Sequence, residues 1–213
     1  MNFSHQQVDF IRHGESLGNL RTHHVDGQNL EVSLSSRGMQ QARLLGRMYP
    51  LSKDTVLVSS AAERAKQTAA LAFPQHLLEG IDSRFVEMSQ GLHEGKLRRK
   101  VYTPKYRAEI DELGWSHKAP EGESLDEVAD RMIDGIDEWA ELSEGSPLVI
   151  VSHATAIKSL IGRINGLSQY ETVHLNKIDN TQVSRLSRYG SGWSVDFIGL
   201  DAAVVAAEDR KNK

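Results

Sequence analysis

An arginine and a histidine stand together at the end of the first apolar segment of the chain. The run at 8–11 has the length of a buried strand, and Arg12, His13 and Gly14 follow it directly. Ligands of open α/β sheets bind beyond the carboxyl ends of the strands, and glycine lets the backbone turn or approach a ligand closely. These residue types suggest a nucleophilic histidine beside a phosphate-binding arginine, although a surface loop could hold the same three residues.

Three more predicted strands end at or just before a charged or imidazole side chain. These residues are Arg64 after the segment 55–58, Glu87 at the end of the segment 84–87, and His153 after the segment 147–152. If the strands are parallel neighbours, all these groups meet at one edge of the sheet. Arginine binds phosphate oxygens with two parallel hydrogen bonds, neutral histidine can attack phosphorus, and a carboxyl group can protonate the departing oxygen.

Arg64 falls in the first turn of a predicted helix over 62–73. A cation at that place opposes the helix dipole, and a purely structural choice would avoid it. An anion bound at the helix N-terminus would remove this objection.

Metal ligation is the rival explanation for the histidines. The chain has nine histidines, but they form no H-E-x-x-H pattern and no cluster with carboxylates at the spacing of ligands. Two arginines beside a metal cation would also repel it. We therefore expect no metal and no other cofactor.

Strands that alternate with helices must position these groups. The alternation predicts an α/β fold, a three-layer α/β/α sandwich with a mostly parallel central sheet. Ser35 and Ser124 are candidate N-caps of two helices, and a hairpin is predicted around 189–192. We expect one domain over 1–205, with a small cap insertion around 92–119 and a flexible, solvated tail over 206–213.

The segment 96–107 within the predicted cap is rich in lysine and arginine. A solvated helix face is the commoner outcome for such a segment. The functional alternative is a cap over an anionic substrate.

Composition limits the classes of partner. The chain has 213 residues and a net charge of −4, which gives no electrostatic reason to expect nucleic acid or an anionic membrane as partner. It has no cysteine, which fits a reducing compartment. The segment 1–7 does not resemble a signal peptide, and no apolar run reaches the ~20 residues of a membrane span. We expect a cytoplasmic protein, and the sequence gives no indication of its oligomeric state.

Six motifs in order resemble those of the histidine phosphatase superfamily, also called the phosphoglycerate mutase-like family, over roughly residues 8–200. The first two are Arg12-His13-Gly14-Glu15-Ser16 with Asn19, and Leu34 to Gly38 with Gln41-Ala42. The next two are Ser59-Ser60 with Arg64-Ala65 and Gln67-Thr68, and Glu87 with Gly91, Glu94 and Gly95. The last two are Glu121 to Ser124, and Val151-Ser152-His153. One such motif alone is weak, whereas six in the family's order are specific.

The resemblance implies a phosphoglycerate mutase-like fold and a role for each matching residue. His13 would be the nucleophile that becomes phosphohistidine, and Glu87 would be the proton donor. Residues that would bind the transferring phosphoryl group are Arg12, Asn19, Arg64, His153 and, through its backbone N–H, Ala154, where many members have glycine.

Three activities fit the resemblance. A phosphatase would act on small phosphorylated metabolites, a phosphoglycerate mutase would use the same core for phosphoryl transfer, and a binding module would do no chemistry. Mutases of the family carry a longer insertion than the 88–119 segment here, which favours the phosphatase. Binding members usually lose the nucleophile or an arginine, and this chain keeps them.

Overall fold

The centre of the protein is a six-stranded sheet. The computed structural model describes residues 6–190 and 192–211. The strands are β1 Gln6–Arg12, β2 Val56–Ser60, β3 Leu78–Asp82, β4 Leu148–Ser152, β5 Val183–Tyr189 and β6 Gly192–Leu200. They lie in the order β3-β2-β4-β1-β5-β6. The first four in that order are mutually parallel, and β5 runs antiparallel to both of its neighbours.

In the described part of the chain, eight α-helices connect or cover the strands. They are α1 Ser36–Met48, α2 Glu63–Ala72, α3 Arg98–Val101, α4 Pro104–Leu113, α5 Leu125–Leu142, α6 Ala154–Ile164, α7 Gln169–Val173 and α8 Ala202–Lys211. Ser35 caps α1 and Ser124 caps α5, as the sequence predicts, because each hydroxyl accepts a backbone N–H from the first turn. None of the helices in the described ranges is both long and apolar enough to cross a bilayer.

Two hydrophobic cores, one on each face of the sheet, make the three predicted layers. Residues of α1, α2 and α8, such as Leu45, Ala69 and Val205, pack on one face. Residues of α5 and α6, such as Met132 and Ile157, pack on the other. The α/β/α sandwich with a mostly parallel sheet is confirmed.

The third strand is not where the sequence places it. We predicted a strand over 84–87, but β3 ends at Asp82 and a turn of 3₁₀ helix follows at Ser83–Phe85. The apolar residues of that segment are buried for another reason, since Phe85 is fully buried in the core against α5 and α6. Glu87 thus lies in the loop that follows the 3₁₀ turn and not at a strand end.

The predicted tail is wrong for residues 206–211, which belong to α8. Val205 and Ala206 are buried, and Asp209 pairs with Arg185 of β5 at 2.5 Å. Glu208, Arg210 and Lys211 are exposed whereas Ala206 packs in the core, and we mistook this charged composition for a solvated tail. Residues 212–213 lie outside the described ranges.

The remaining expectations concern the cap and the hairpin. The segment predicted as a cap contains a 3₁₀ turn, α3, α4 and a second 3₁₀ turn before α5 begins. The predicted hairpin is formed by β5 and β6, which pair in antiparallel register. Ser191 in its turn, like the segment 1–5, lies outside the described residues.

Candidate active site

The two histidines are brought together by the pairing of β1 with β4. Arg12 lies opposite Ser152 in this register, so the residues that follow each strand, His13 and His153, are neighbours. Their ring centroids are 4.9 Å apart, and both side chains are almost completely buried. The meeting of strand ends that the sequence predicts is therefore found for these two residues.

One hydrogen bond determines which ring nitrogen of His13 carries the hydrogen. Its Nδ1 lies 2.6 Å from the carbonyl oxygen of Gly14, which can only accept, so Nδ1 carries the hydrogen. Burial lowers the pKa of His13 well below its usual value, and the charges of Arg64 and Arg12 lower it further. The ring is therefore neutral near pH 7, with the unprotonated lone pair on Nε2. This is the form that can attack phosphorus.

His153 presents a polar atom that lacks a partner. Its Nε2 lies 2.8 Å from Oγ of Ser60, at the end of β2. That hydroxyl already accepts the backbone N–H of Ala62, which leaves its hydrogen free to donate to Nε2. This arrangement favours the hydrogen on Nδ1, which is buried and has no hydrogen-bond partner among the described residues.

Arg12 and Arg64 supply positive charge in buried positions. Nη1 of Arg12 donates to the carbonyl of Ile178 at 2.7 Å, and its Nε is buried without a partner in the described part of the chain. Nη1 of Arg64 donates to the carbonyl of Asn29 at 2.6 Å. A buried donor that lacks an acceptor is costly, so an anion bound at Nε of Arg12 would satisfy that group.

Glu87 reaches this site from the loop after the 3₁₀ turn. Its Oε1 accepts the backbone N–H of Met88 at 2.9 Å and of Ala156 at 3.0 Å, and its Oε2 accepts that of Thr155 at 3.2 Å. The last two N–H groups belong to the first turn of α6, which begins at Ala154. The carboxylate is thus held at the N-terminus of the helix that follows His153.

The electrostatics place Glu87 with the two arginines. Burial lowers the pKa of Arg12 and of Arg64, and the negative charge of Glu87 opposes that shift at both. The sequence grouped Glu87 with these residues correctly, although it reaches them from a loop.

Asn19 is oriented by the loop between α7 and β5. The amide nitrogen of Asn180 donates to the carbonyl of His13 at 2.8 Å and lies 3.4 Å from Oδ1 of Asn19. Oδ1 also accepts the backbone N–H of Ser16 at 3.1 Å. These contacts use the amide oxygen of Asn19, and its nitrogen makes a long contact of 3.4 Å to Asp26. The amide nitrogen of Asn19 can therefore reorient and donate to a bound anion.

The segment 178–182 that carries Asn180 was not identified from the sequence. Thr181 has a positive φ of 65°, which is unfavourable for a β-branched residue, and its N–H donates to the carbonyl of Arg12. The turn-forming residues Asp179 and Asn180 ahead of β5 were the available signal. This loop fixes the backbone of Arg12 and His13 from the side opposite β4.

A second missed residue, Arg131 of α5, supports the loop of Glu87. Its guanidinium donates to the carbonyls of Arg84, Val86 and Glu87 at 2.5, 2.9 and 3.3 Å. It also pairs with Glu123 at 2.8 Å. Arg131 lies beside the continuous apolar stripe of α5, and nothing local in the sequence indicates that it contacts this loop.

Gly14 serves the packing of the first loop. A Cβ at Gly14 would lie 2.6 Å from the carbonyl oxygen of Gly38 in α1, and a Cβ at Gly38 would lie 1.9 Å from that of Glu15. The two backbones can approach only because both positions are glycine. We expected a turn or a ligand at Gly14, and the close neighbour is α1.

A cavity of ≈ 550 Å³ opens beside Glu87 under the predicted cap. Its lining includes Met88 and Thr155, whose N–H groups bind Glu87. It also includes residues of the basic segment, among them Tyr102 and Tyr106. A group attached to the phosphoryl oxygen next to Glu87 would have room here.

The chain is similar to known proteins over most of its length. The probable phosphoglycerate mutase GpmB of Serratia proteamaculans is 31% identical over 202 residues, which cover 91% of this chain and 92% of that protein. The mycobacterial glucosyl-3-phosphoglycerate phosphatase has 25% identity and a TM-score of 0.73, covering 92% of this chain and 100% of that one. The α-ribazole phosphatase of Shigella flexneri has 24% identity and a TM-score of 0.76, covering 92% and 96%.

The family assignment rests on most of the chain. Residues 8–201 match the model of the histidine phosphatase superfamily (branch 1). This range contains all six motifs and every residue of the site described above. The chain is therefore an enzyme of the histidine phosphatase superfamily.

Proposed function

We propose that this enzyme hydrolyses small phosphorylated metabolites through a phosphohistidine at His13. The observation that carries the proposal is the hydrogen bond from Nδ1 of His13 to the carbonyl of Gly14, which leaves Nε2 as a buried lone pair beside two arginines. Arg12, Asn19, Arg64, His153 and the backbone N–H of Ala154 bind the phosphoryl group in this scheme. Their donors stabilise the charge that develops on its oxygens.

The reaction has two steps. In the first, the lone pair of Nε2 forms a bond to phosphorus, the bond to the ester oxygen breaks, and Glu87 gives its proton to the departing alcohol. In the second, water attacks phosphorus, Glu87 accepts its proton, and the phosphorus–nitrogen bond breaks to return His13 and release phosphate.

Phosphoglycerate mutase activity is the second candidate, because relatives about 30% identical to the chain carry that name. A mutase keeps the phosphoryl group on the enzyme until it returns to a hydroxyl of the substrate. The short segment 88–119 of this chain supports the phosphatase, since it leaves less protein to hold an intermediate substrate away from water.

One assay separates the two activities. The purified enzyme is given a panel of phosphate monoesters that includes 3-phosphoglycerate, and both inorganic phosphate and 2-phosphoglycerate are measured. We expect stoichiometric release of inorganic phosphate, and none from His13→Ala. Isomer formation without phosphate release would show a mutase.

The role of Glu87 as acid predicts a dependence on the leaving group. An alkoxide needs the proton and a nitrophenolate does not, so loss of Glu87 should slow the phosphorylation step far more for an alkyl phosphate than for p-nitrophenyl phosphate. Single-turnover kinetics isolate that step. A glutamine at position 87 would place its NH₂ group against one of the backbone N–H groups that now donate to Glu87, and two donors cannot form a hydrogen bond. Glu87→Ala should therefore be measured alongside Glu87→Gln.

An exposed glutamate of β3 offers the matched control for this experiment. Glu79→Gln removes the same charge away from the site, and should leave the rates for both substrates unchanged. If both Glu87 variants lose activity equally on the two substrates, Glu87 holds the site together and the proton comes from another group.

Activity is expected to survive exhaustive treatment with EDTA. Arg12 and Arg64 already supply the positive charge that a metal ion would otherwise bring to the phosphoryl group. In the described ranges, no group of three or more His, Cys, Asp or Glu side chains is arranged to hold a metal ion. A metal-dependent phosphatase treated in parallel shows that chelation was complete. Loss of activity that Mg²⁺ or Zn²⁺ restores would refute the scheme.

A further inference from the structure

Ser60 forms the hydrogen bond that holds the imidazole of His153 in the described part of the chain. β2 ends at Ser60, and it pairs with β4 so that Ser59 lies opposite Val151. His153 follows β4 directly, so the side chains of Ser60 and His153 meet at the same edge of the sheet. Oγ of Ser60 lies 2.8 Å from Nε2 of His153, and neither residue has exposed surface. Solvent therefore does not compete for this bond.

The hydroxyl group of Ser60 is the donor in this bond. Its oxygen already accepts the backbone N–H of Ala62 at 3.3 Å. Its hydrogen finds no acceptor other than Nε2 of His153 among the described residues. If Nε2 carried a hydrogen, the hydroxyl hydrogen would be left buried without a partner, which is costly. Ser60 thus selects the form of His153 that carries its hydrogen on Nδ1.

This selection decides what His153 presents to its surroundings. Burial lowers the pKa of His153 well below its usual value, and the charge of Arg64 lowers it further, so the ring is neutral and carries one hydrogen. Nδ1 is buried without a partner in the described ranges, and the ring centroid lies 4.9 Å from that of His13. With the hydrogen on Nδ1 the free position is a donor, whereas a lone pair there would repel the oxygens of a phosphoryl group.

We propose that Ser60 is a positioning residue, which fixes His153 as a hydrogen-bond donor to the phosphoryl group through Nδ1. The inference rests on the proposed function, because it concerns a group that binds the phosphoryl oxygens. It goes beyond that function by giving a role in the reaction to a side chain that acts through His153. Loss of Ser60 would replace a donor aimed at the transition state by a mixture of donor and lone pair.

The position of the hydrogen on His153 can be measured directly. Two-dimensional NMR of enzyme that contains nitrogen-15-labelled histidine distinguishes protonated from unprotonated ring nitrogens, and the signals of His153 are those absent from His153→Ala. We expect the hydrogen on Nδ1 in the unaltered enzyme near pH 7. In Ser60→Ala the signals should shift towards a mixture of both forms. Hydrogen on Nε2 in the unaltered enzyme, or an unchanged pattern in Ser60→Ala, would overturn the proposal.

Ser59 offers the matched control. It is also completely buried near the end of β2, but its Oγ donates to the carbonyl of Ser60 and not to His153. Successive side chains of a strand point to opposite faces of the sheet, so Ser59 faces away from His153. Ser59→Ala removes the same chemical group and should leave the hydrogen of His153 on Nδ1 and kcat unchanged. An equal change of both in Ser59→Ala and Ser60→Ala would assign the effect to packing and refute the proposal.

A double-mutant cycle tests whether Ser60 acts through His153. Ser60→Ala should lower kcat for p-nitrophenyl phosphate about tenfold, as expected when only a fraction of the molecules present the donor. His153→Ala should lower kcat by on the order of 10²–10³-fold. Addition of Ser60→Ala to His153→Ala should cause no further loss, because residues that act as a unit are not additive. The same loss in both backgrounds would mean that Ser60 only supports the fold.

The outcomes keep this inference apart from the proposed function. If the unaltered enzyme hydrolyses no phosphate monoester, the proposed function fails. If it hydrolyses them and the losses from Ser60→Ala and His153→Ala are additive, this inference fails alone. If Ser60→Ala does not fold, the spectrum of the unaltered enzyme decides, since hydrogen on Nδ1 of His153 supports the proposal and hydrogen on Nε2 contradicts it.

Discussion

His13→Ala is expected to lower kcat by on the order of 10⁴-fold or more, because no other side chain in the site is prepared as the nucleophile. The bond from Nδ1 to the carbonyl of Gly14 and the neighbouring arginines keep Nε2 of His13 unprotonated. His153 is close, but its Nε2 is occupied by Ser60. Steady-state hydrolysis of p-nitrophenyl phosphate measures the loss.

Two controls make the His13 result interpretable. His76→Ala removes a histidine that follows the C-terminal end of α2, the end opposite Arg64, and contacts the carbonyl of Ser52. This variant should retain full activity. Retained binding of inorganic phosphate to His13→Ala, with an unchanged thermal unfolding curve, would show that the arginines remain in place. Activity within about tenfold of the unaltered enzyme would mean that His13 is not the nucleophile.

Arg64→Ala is expected to lower kcat by on the order of 10²–10³-fold, the usual effect of removing a prepositioned donor from a transition state. Arg64 is almost completely buried, its Nη1 donates to the carbonyl of Asn29 at 2.6 Å, and its Nη2 makes a longer bond of 3.4 Å to that of Gly27. These bonds fix the guanidinium of Arg64 before the reaction, so no free energy is lost in orienting its other N–H groups during the reaction. Its place in the first turn of α2 adds the N–H groups of that helix, whose N-cap, Ala62, supplies no side-chain hydrogen bond.

Arg64→Lys should recover little of this loss, because an ammonium group cannot hold Asn29 and bind two phosphoryl oxygens in the same plane. Lys66→Ala is the matched control, since Lys66 lies on the same helix and pairs only with Glu63 at the surface. A near-normal kcat for Arg64→Ala would place the phosphoryl group elsewhere.

The sequence could predict the part of the site that follows directly from strand pairing. Arg12, His13 and His153 lie at the ends of mostly apolar strands, which are recognisable because both faces of a parallel sheet are buried. Ser35 and Ser124 were equally readable, since a cap is a local interaction between a hydroxyl and the next turn.

Interactions between distant segments could not be predicted in the same way. The segment 84–87 has the composition of a strand, but it is buried against α5 and α6 in a 3₁₀ turn and the loop after it. Asn180 contacts His13 across 167 positions of the chain. The local sequence indicates a turn at Asp179 and Asn180, but not that this turn meets the site. The tail looked solvated because Arg185, the partner of Asp209, lies on β5, 24 positions earlier in the chain.

The most direct test of the account is to find where the phosphoryl group is held during turnover. The enzyme is mixed with a slow alkyl phosphate, denatured in alkali to protect the acid-labile phosphorus–nitrogen bond, and analysed by peptide mass spectrometry. The account predicts phosphate on the peptide that contains His13, at its imidazole, and none on the same peptide of His13→Ala. Phosphate on His153 or on a serine such as Ser16 or Ser60 would contradict it.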